Sequence, residues 1–467
     1  MCQDIAQVAQ IDAQIRQFQL AVEILQQERK RLNASLTYHL NTRPSPIRDI
    51  PVEILQEIFL YLLPPVLEMR NCTALRLSHV CSQWRLILHS MSHVWSSVNI
   101  NCDCASHQSW SGPEFLRHCV KLSGERPLSI VLRASNVPEA QLQSLMSDIL
   151  TPTFHRWKHV DLNVHLHPWL ARLHELTFDE LESLSIAEPM TTAHGPCVDL
   201  SRCPKLSRLV LCGIKYPTSK FTLPWSGIRV FEACDVFYSP EEYSSILKCM
   251  TNLTELKIVC TSRLVDSAEA GSVVLPHLAS FSFIAPKAIA SAYLNPLVLP
   301  SLRKFSFKVD HSSMNPVELA DQLVRLIMHC HRSLEDLKLA GLCGLAVLRV
   351  LNRTPNLVRL QCRFVALYMM DFFARFGEVE LSRLERVEFR LRPVSLGQVG
   401  GLRRWVERKK VGGIRWGGGE SVLKEVMVKF PHGCCESRDL MLGDVENYDG
   451  SGGVKVKVDW VPFTDLM

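Results

Sequence analysis

Hydrophobic residues in the first forty positions recur at alternating steps of three and four. Val8, Ile11, Ile15, Phe18, Val22, Leu25, Leu32 and Leu36 define this seam, and Arg29 alone interrupts it. Glutamine and charged residues fill the other faces. A period of 3.5 residues predicts one long helix with a narrow apolar stripe, ending near Asn41–Pro44. Such a helix either pairs with a second copy or lies on another part of this chain. In both cases it is a spacer or assembly element without chemistry.

A broader pattern follows between Pro44 and Ile100. Ile50-Pro51 is expected to open a helix, since proline is tolerated in a first turn where its missing N–H has no partner. Ile54, Leu55, Ile58, Phe59 and Leu62 then give that helix a wide apolar face, and Pro64-Pro65 stops it. A second amphipathic stretch carries Leu75, Leu77 and Val80-Cys81. A third carries Trp84, Ile87 and Leu88, and Trp95 closes the segment. Three helices in about 45 residues bury little surface by themselves. Surplus Ile, Phe and Leu on so small a module favour a partner surface. The plainer alternative is a three-helix cap on the domain that follows.

The residues of this segment resemble an F-box. The family's Leu-Pro-x-Glu start reads Ile50-Pro51-x-Glu53 here. Its Ile-Phe pair reads Ile58-Phe59, its Val-Cys-x-x-Trp-Arg core Val80-Cys81-x-x-Trp84-Arg85, and its terminal Trp is Trp95. Ile50 replaces the usual Leu, a nearly isosteric change. The first loop is longer, with Pro64-Pro65 and no Asp-Leu step. The resemblance implies docking to the Skp-type adaptor of a cullin–RING ubiquitin ligase. The residues it implicates are Pro51, Ile54, Leu55, Ile58, Phe59, Val80, Cys81 and Trp84, all through apolar burial, with Trp84 as an anchor. A heptad helix placed directly before an F-box is also similar to a layout found in mushroom-forming fungi.

Beyond residue 126 a third pattern takes over: aliphatic, two variable, aliphatic, one variable, aliphatic. It runs as Leu181-x-x-Leu184-x-Ile186, Leu206-x-x-Leu209-x-Leu211, Leu253-x-x-Leu256-x-Ile258, Leu278-x-x-Phe281-x-Phe283 and Leu302-x-x-Phe305-x-Phe307. Leu334-x-x-Leu337-x-Leu339, Leu357-x-x-Leu360 and Leu384-x-x-Val387-x-Phe389 continue it. Ile228-x-x-Phe231 is a weaker copy and Leu423-x-x-Val426-x-Val428 a late one. Most gaps are in the twenties, and Pro204, Pro276, Pro300 and Pro355 sit just before an opening aliphatic. This period and motif resemble leucine-rich repeats. The last two aliphatics alternate, so they share one face of a short strand, and stacked copies would form a parallel sheet over a continuous core. Helical stretches at 240–249 and 316–330 would pack outside. Segments 126–134 and 157–164 are expected to open the sheet. The asparagine that usually ladders such repeats is mostly missing. A compact α/β domain with similar strand starts is the alternative.

Together these patterns predict an α/β protein: a long helix at 1–42, a three-helix F-box at 43–100, and a leucine-rich-repeat-like solenoid with a parallel sheet at 101–467. Basic residues and glycines at 397–419 read as a solvated insertion, 443–453 as a loop, and 454–461 as a final strand.

The chain of 467 residues is 47% hydrophobic and 21% charged, which describes a globular protein. Its net charge of +5 is small for this length and gives no reason to expect nucleic acid. The start is polar and no run is long and apolar enough to span a membrane, so the expected location is cytoplasm or nucleus. The 17 cysteines form no repeating framework and read as reduced, mostly buried thiols. No nucleophile elbow, zinc-protease motif or phosphate loop occurs. Cys102-Asp-Cys104 with His107, His329-Cys330-His331 and His432 with Cys434-Cys435 lack the spacing of known zinc sites. No enzyme activity, metal or cofactor is expected.

The function that the F-box resemblance implies is substrate recognition for a cullin–RING (SCF-type) ligase in proteolysis. The adaptor and, through it, cullin would be the partners, and an unknown protein would be the substrate. The alternative is an F-box scaffold or binding protein outside a ligase.

Overall fold

In a computed structural model the chain is described at residues 2–42, 47, 49–68, 72–102, 112–134, 137, 139–163, 178–187, 198–213, 221–234, 239–260, 271–310, 316–364, 372, 375–376, 379, 381–391, 424–431 and 455–461. Two compact units are present. One comprises Met1–Pro64 and Thr73–Met91, the other Pro65–Cys72 and Ser92–Met467.

The first unit is helical: α1 Cys2–Thr42, α2 Val52–Leu62, α3 Thr73–Ser78 and α4 Ser82–Ser90. Helix α1 ends where the heptads stop. All of its described side chains are exposed. Val80 and Cys81, expected within a second helix, instead lie between α3 and α4. Pro51 caps α2 from outside with extended backbone (φ −54°, ψ 147°), and its carbonyl accepts from the Leu55 N–H at 3.1 Å.

The second unit is built on one large parallel sheet. Its strands are β1 Leu67–Glu68, β2 Ser97–Asn101, β3 Leu128–Arg133, β4 Trp157–Asn163, β5 Ser183–Ala187, then, after β6 Val198–Asp199, β7 Arg208–Cys212. After β8 Phe221–Thr222 come β9 Val230–Cys234 and β10 Glu255–Val259; after β11 Val273–Val274, β12 Ser280–Pro286. β13 Leu297–Val298 precedes β14 Lys304–Asp310, β15 Asp336–Leu342, β16 Arg359–Phe364, β17 Arg386–Leu391, β18 Glu425–Pro431 and β19 Lys455–Val461. Fifteen strands pair in chain order, while β6–β8 and β11–β13 form two separate two-stranded sheets. The expected strands at 126–134, 157–164 and 454–461 correspond to β3, β4 and β19.

The repeat motif explains why each strand forms. Its first aliphatic is buried in every copy from Leu181 to Leu384, and the next two point inward, as Leu209 and Leu211 do in β7. Proline acts one step earlier. Pro204, Pro276, Pro300 and Pro355 each hold the second position of a turn closed by an i→i+3 hydrogen bond, for example Leu206 N to Cys203 O at 3.2 Å. In-register pairing stacks β12 on β14, placing Phe281 against Phe305 (centroids 5.5 Å apart) and Phe283 against Phe307 (6.0 Å). Such aromatic columns bury large apolar area while keeping rings parallel.

The asparagine ladder is replaced by backbone. At the start of β7, β9, β10, β12 and β14 to β18 two successive N–H groups donate to one carbonyl of the preceding strand's lead-in. Ser207 and Arg208 donate to Glu182 O, Thr254 and Glu255 to Arg229 O, and Val358 and Arg359 to Glu335 O. The pattern satisfies backbone donors without a side-chain partner. Outside the strands, Pro240–Cys249 and Pro316–Met328 are helical as expected. Ser239 Oγ caps the former by accepting from Glu242 N at 3.2 Å.

Six strands were not foreseen: β1, β2 and the two-residue strands β6, β8, β11 and β13. β1 pairs with β2, so the segment around Trp95, expected to close the helical module, already belongs to the sheet unit. The insertion at 397–419 and the loop at 443–453 lie outside the described residues.

Candidate adaptor interface

Helix α2 divides its apolar residues between two faces. Leu55 and Phe59, one turn apart, are buried. The Phe59 ring meets Trp84 of α4 edge-to-face, with centroids 4.9 Å apart. Ile87, Leu88 and Ala74 are buried in the same unit. Ile54, Ile58 and Tyr61 fall at i, i+4 and i+7, on a face rotated away from that core. They are 51%, 40% and 91% exposed. Val52, Leu60, Leu62 and Leu86 are also large exposed apolar residues of this unit. For a short, independent helical unit this is an unusual amount of uncovered hydrocarbon.

The eight residues implicated from sequence therefore separate by role. Ile54, Ile58, Val80 and Pro51 are exposed; Leu55 and Phe59 are interior; Trp84 is half-buried against Phe59. Cys81 does something the sequence reading did not assign. Its Sγ accepts from the Trp84 N–H at 3.5 Å, capping α4. The Cys-x-x-Trp spacing is that of an N-cap and N3, which is the signal that could have shown it. Arg85 Nε donates to Ser78 O at 3.1 Å and ties the start of α4 to the end of α3. Tyr61 was missed because the helix was read as one apolar face instead of two.

In the sheet unit, alternate positions of each strand face away from the core. Ser129 and Val131 of β3, His159 and Asp161 of β4, Ser185 of β5 and Arg208 of β7 line a depression on that face. Further along, cations stand over carboxylates. Glu232 of β9 bonds both Arg208 of β7 and Lys257 of β10, the latter at 3.1 Å. Asp336 accepts from Arg359 (3.2 Å) and Glu425 from Arg386 (2.8 Å). In each pair the carboxylate is the less exposed partner, so guanidinium and ammonium groups form the outer layer.

No cluster of three or more His, Cys, Asp or Glu suited to a metal occurs among the described residues. Cys330 is buried, while the neighbouring His331 Nδ1 lies 2.9 Å from Met328 O, so this trio does not converge. Cys104, His107, His432, Cys434 and Cys435 lie outside the described residues. Burial pushes the thiols of Cys203, Cys260 and Cys330 up to about 12, far from the thiolate a nucleophile or metal ligand needs. No helix among the described residues is long and apolar enough to cross a membrane.

A comparison with curated proteins finds no match for the chain. Residues 47–101, spanning α2 to α4 and the Trp95 segment, match the family model described as F-box-like, and the helical module is an F-box-like domain.

Proposed function

We propose that this chain is the substrate-recognition subunit of an SCF-type cullin–RING ubiquitin ligase. F-box domains bind Skp-type adaptors in SCF complexes and are typically non-enzymatic. The observation that carries the reading is the exposed Ile54–Ile58–Tyr61 stripe on an F-box-like module. In this reading Ile54, Ile58, Val80 and Pro51 touch the adaptor. Leu55, Phe59 and Trp84 hold α2 and α4 in the shape it recognises, and Cys81 fixes the first turn of α4. The sheet unit is a degenerate leucine-rich-repeat solenoid whose outward strand positions hold the protein to be ubiquitinated. The receptor forms no covalent bond. It raises the local concentration of a substrate lysine near the charged ubiquitin carrier. Cytoplasm or nucleus is the compartment this role requires.

The test is affinity purification of the full chain beside its Ile54→Asp/Ile58→Asp variant. Adaptor and cullin should both accompany the parent and both leave with the variant. Adaptor without cullin would favour a scaffold outside a ligase. Absence of adaptor from the parent would end the proposal.

A further inference from the structure

The uncovered seam of α1 needs an occupant. Val8, Ile11, Ile15, Phe18, Val22, Leu25, Leu32 and Leu36 are between 47% and 69% exposed. From Val8 to Leu36 the seam runs roughly 42 Å at the rise of an α-helix. An isolated helix draws most of its stability from packing of its apolar face, and in the described residues that face is exposed. We infer that α1 is one strand of a parallel, in-register two-stranded coiled coil formed with a second copy of this chain.

Three features choose that occupant. The steps of three and four never slip over four heptads, which is the period that keeps a seam facing a partner along a left-handed supercoil. Val8, Ile15 and Val22 occupy the position before a three-residue step; the position after holds Ile11 and Phe18 in the first half of the seam and Leu25 and Leu32 in the second. β-branched residues at the former with leucine at the latter favour two parallel strands. The third feature is charge. Arg29 is the one polar residue in the seam, at the position where a single polar side chain fixes register. In a parallel, in-register pair it meets its own counterpart across the seam, and Glu28 of the second copy flanks each guanidinium and offsets the like charge. In the single helix Glu28 bonds Arg31 instead, at 2.7 Å, an exposed i,i+3 pair worth little and readily exchanged.

This pairing brings both F-box-like modules to the same end of the coil, because each begins within about ten residues of Thr42. A dimer would then present two adaptor sites and two sheet faces, and a substrate with two contact sites would gain avidity. The inference stands whether or not the adaptor assignment holds.

Sedimentation equilibrium of the full chain tests it. The parent should sediment at twice 53.0 kDa, and Val22→Asp/Leu25→Asp at 53.0 kDa with the thermal transition of the sheet unit unchanged. Arg29→Glu should weaken the dimer by tenfold or more, and Glu28→Arg/Arg29→Glu should restore it. A parent that is monomeric at tens of micromolar, including one that pairs only with a different protein's helix, overturns the inference. So does a dimer indifferent to the Val22/Leu25 change. Failure of the charge exchange to restore association overturns the parallel, in-register arrangement.

Discussion

Neighbouring residues of α2 should fail in different ways. Ile58 is 40% exposed and Ile54 51% exposed. Burying an isoleucine completely is worth about 1.5–3 kcal/mol. Covering only the exposed fractions gives about 0.6–1.2 kcal/mol for Ile58 and 0.8–1.5 kcal/mol for Ile54. Ile54→Ala/Ile58→Ala should therefore weaken adaptor binding by roughly 10- to 100-fold. Phe59 has no exposed surface and packs against Trp84. Phe59→Ala should cost about 3–5 kcal/mol of folding stability, enough to unfold a module this small. Calorimetric titration of the full chain with a Skp-type adaptor, paired with a thermal melt, separates the two. The isoleucine variant should keep its melting transition and lose affinity. The phenylalanine variant should lose both. If the isoleucine variant binds as tightly as the parent while remaining folded, the exposed stripe is not the docking face.

Other residues give independent checks. Gly341 has φ +84°, and a Cβ there would lie 2.2 Å from Val309 O, so Gly341→Ala should cost more than about 2 kcal/mol, read as a lower denaturant midpoint. Arg156 is buried and donates from Nε to Arg126 O (2.9 Å) and from Nη2 to Ser123 Oγ (2.6 Å); Arg156→Ala should destabilise by about 1–3 kcal/mol through the acceptors it leaves unpaired. Cys203, Cys260 and Cys330 should resist alkylation at pH 8 in the folded chain while exposed Cys249 reacts, as read by mass spectrometry. Their folded values, about 12, lie above the ordinary thiol value of 9, so the unfolded chain releases these protons first and stability should fall as pH rises from about 9 towards 12.

What the sequence made legible was the part governed by packing. The Leu-x-x-Leu-x-Leu copies could be read because the inward positions of β5 to β17 must be apolar. The opening aliphatic could be read because it fills the core behind the turn. β1 escaped because two residues, Leu67–Glu68, carry no period. β2 escaped because Val98 and Ile100 follow Trp95 so closely that they passed for the end of the helical segment. Pro204 and its counterparts announced boundaries, but the bifurcated backbone ladder could not be read at all, since any residue can contribute its N–H and C=O. Within the F-box-like domain the motif residues were visible and their division of labour was not. Leu55 and Ile58 differ by three positions on one helix, and only the place of α4 decides which of them is inside.

The same reasoning explains where specificity resides in this chain. Along each strand the inward side chains answer to neighbours in the core, so substitution there is penalised by lost burial and cavities. Outward side chains pair with the neighbouring strand, as Glu232 does with Arg208 and Lys257. They can change without unfolding the sheet. A parallel sheet of fifteen strands thus supplies a fixed spacing for outward side chains that can vary without loss of the core. On α2 the two demands share one helix: Leu55 and Phe59 belong to the fold, Ile54, Ile58 and Tyr61 to whatever sits on it. The exposed part of these three side chains contributes no folding energy, and it is the surface on which the proposed adaptor contact depends.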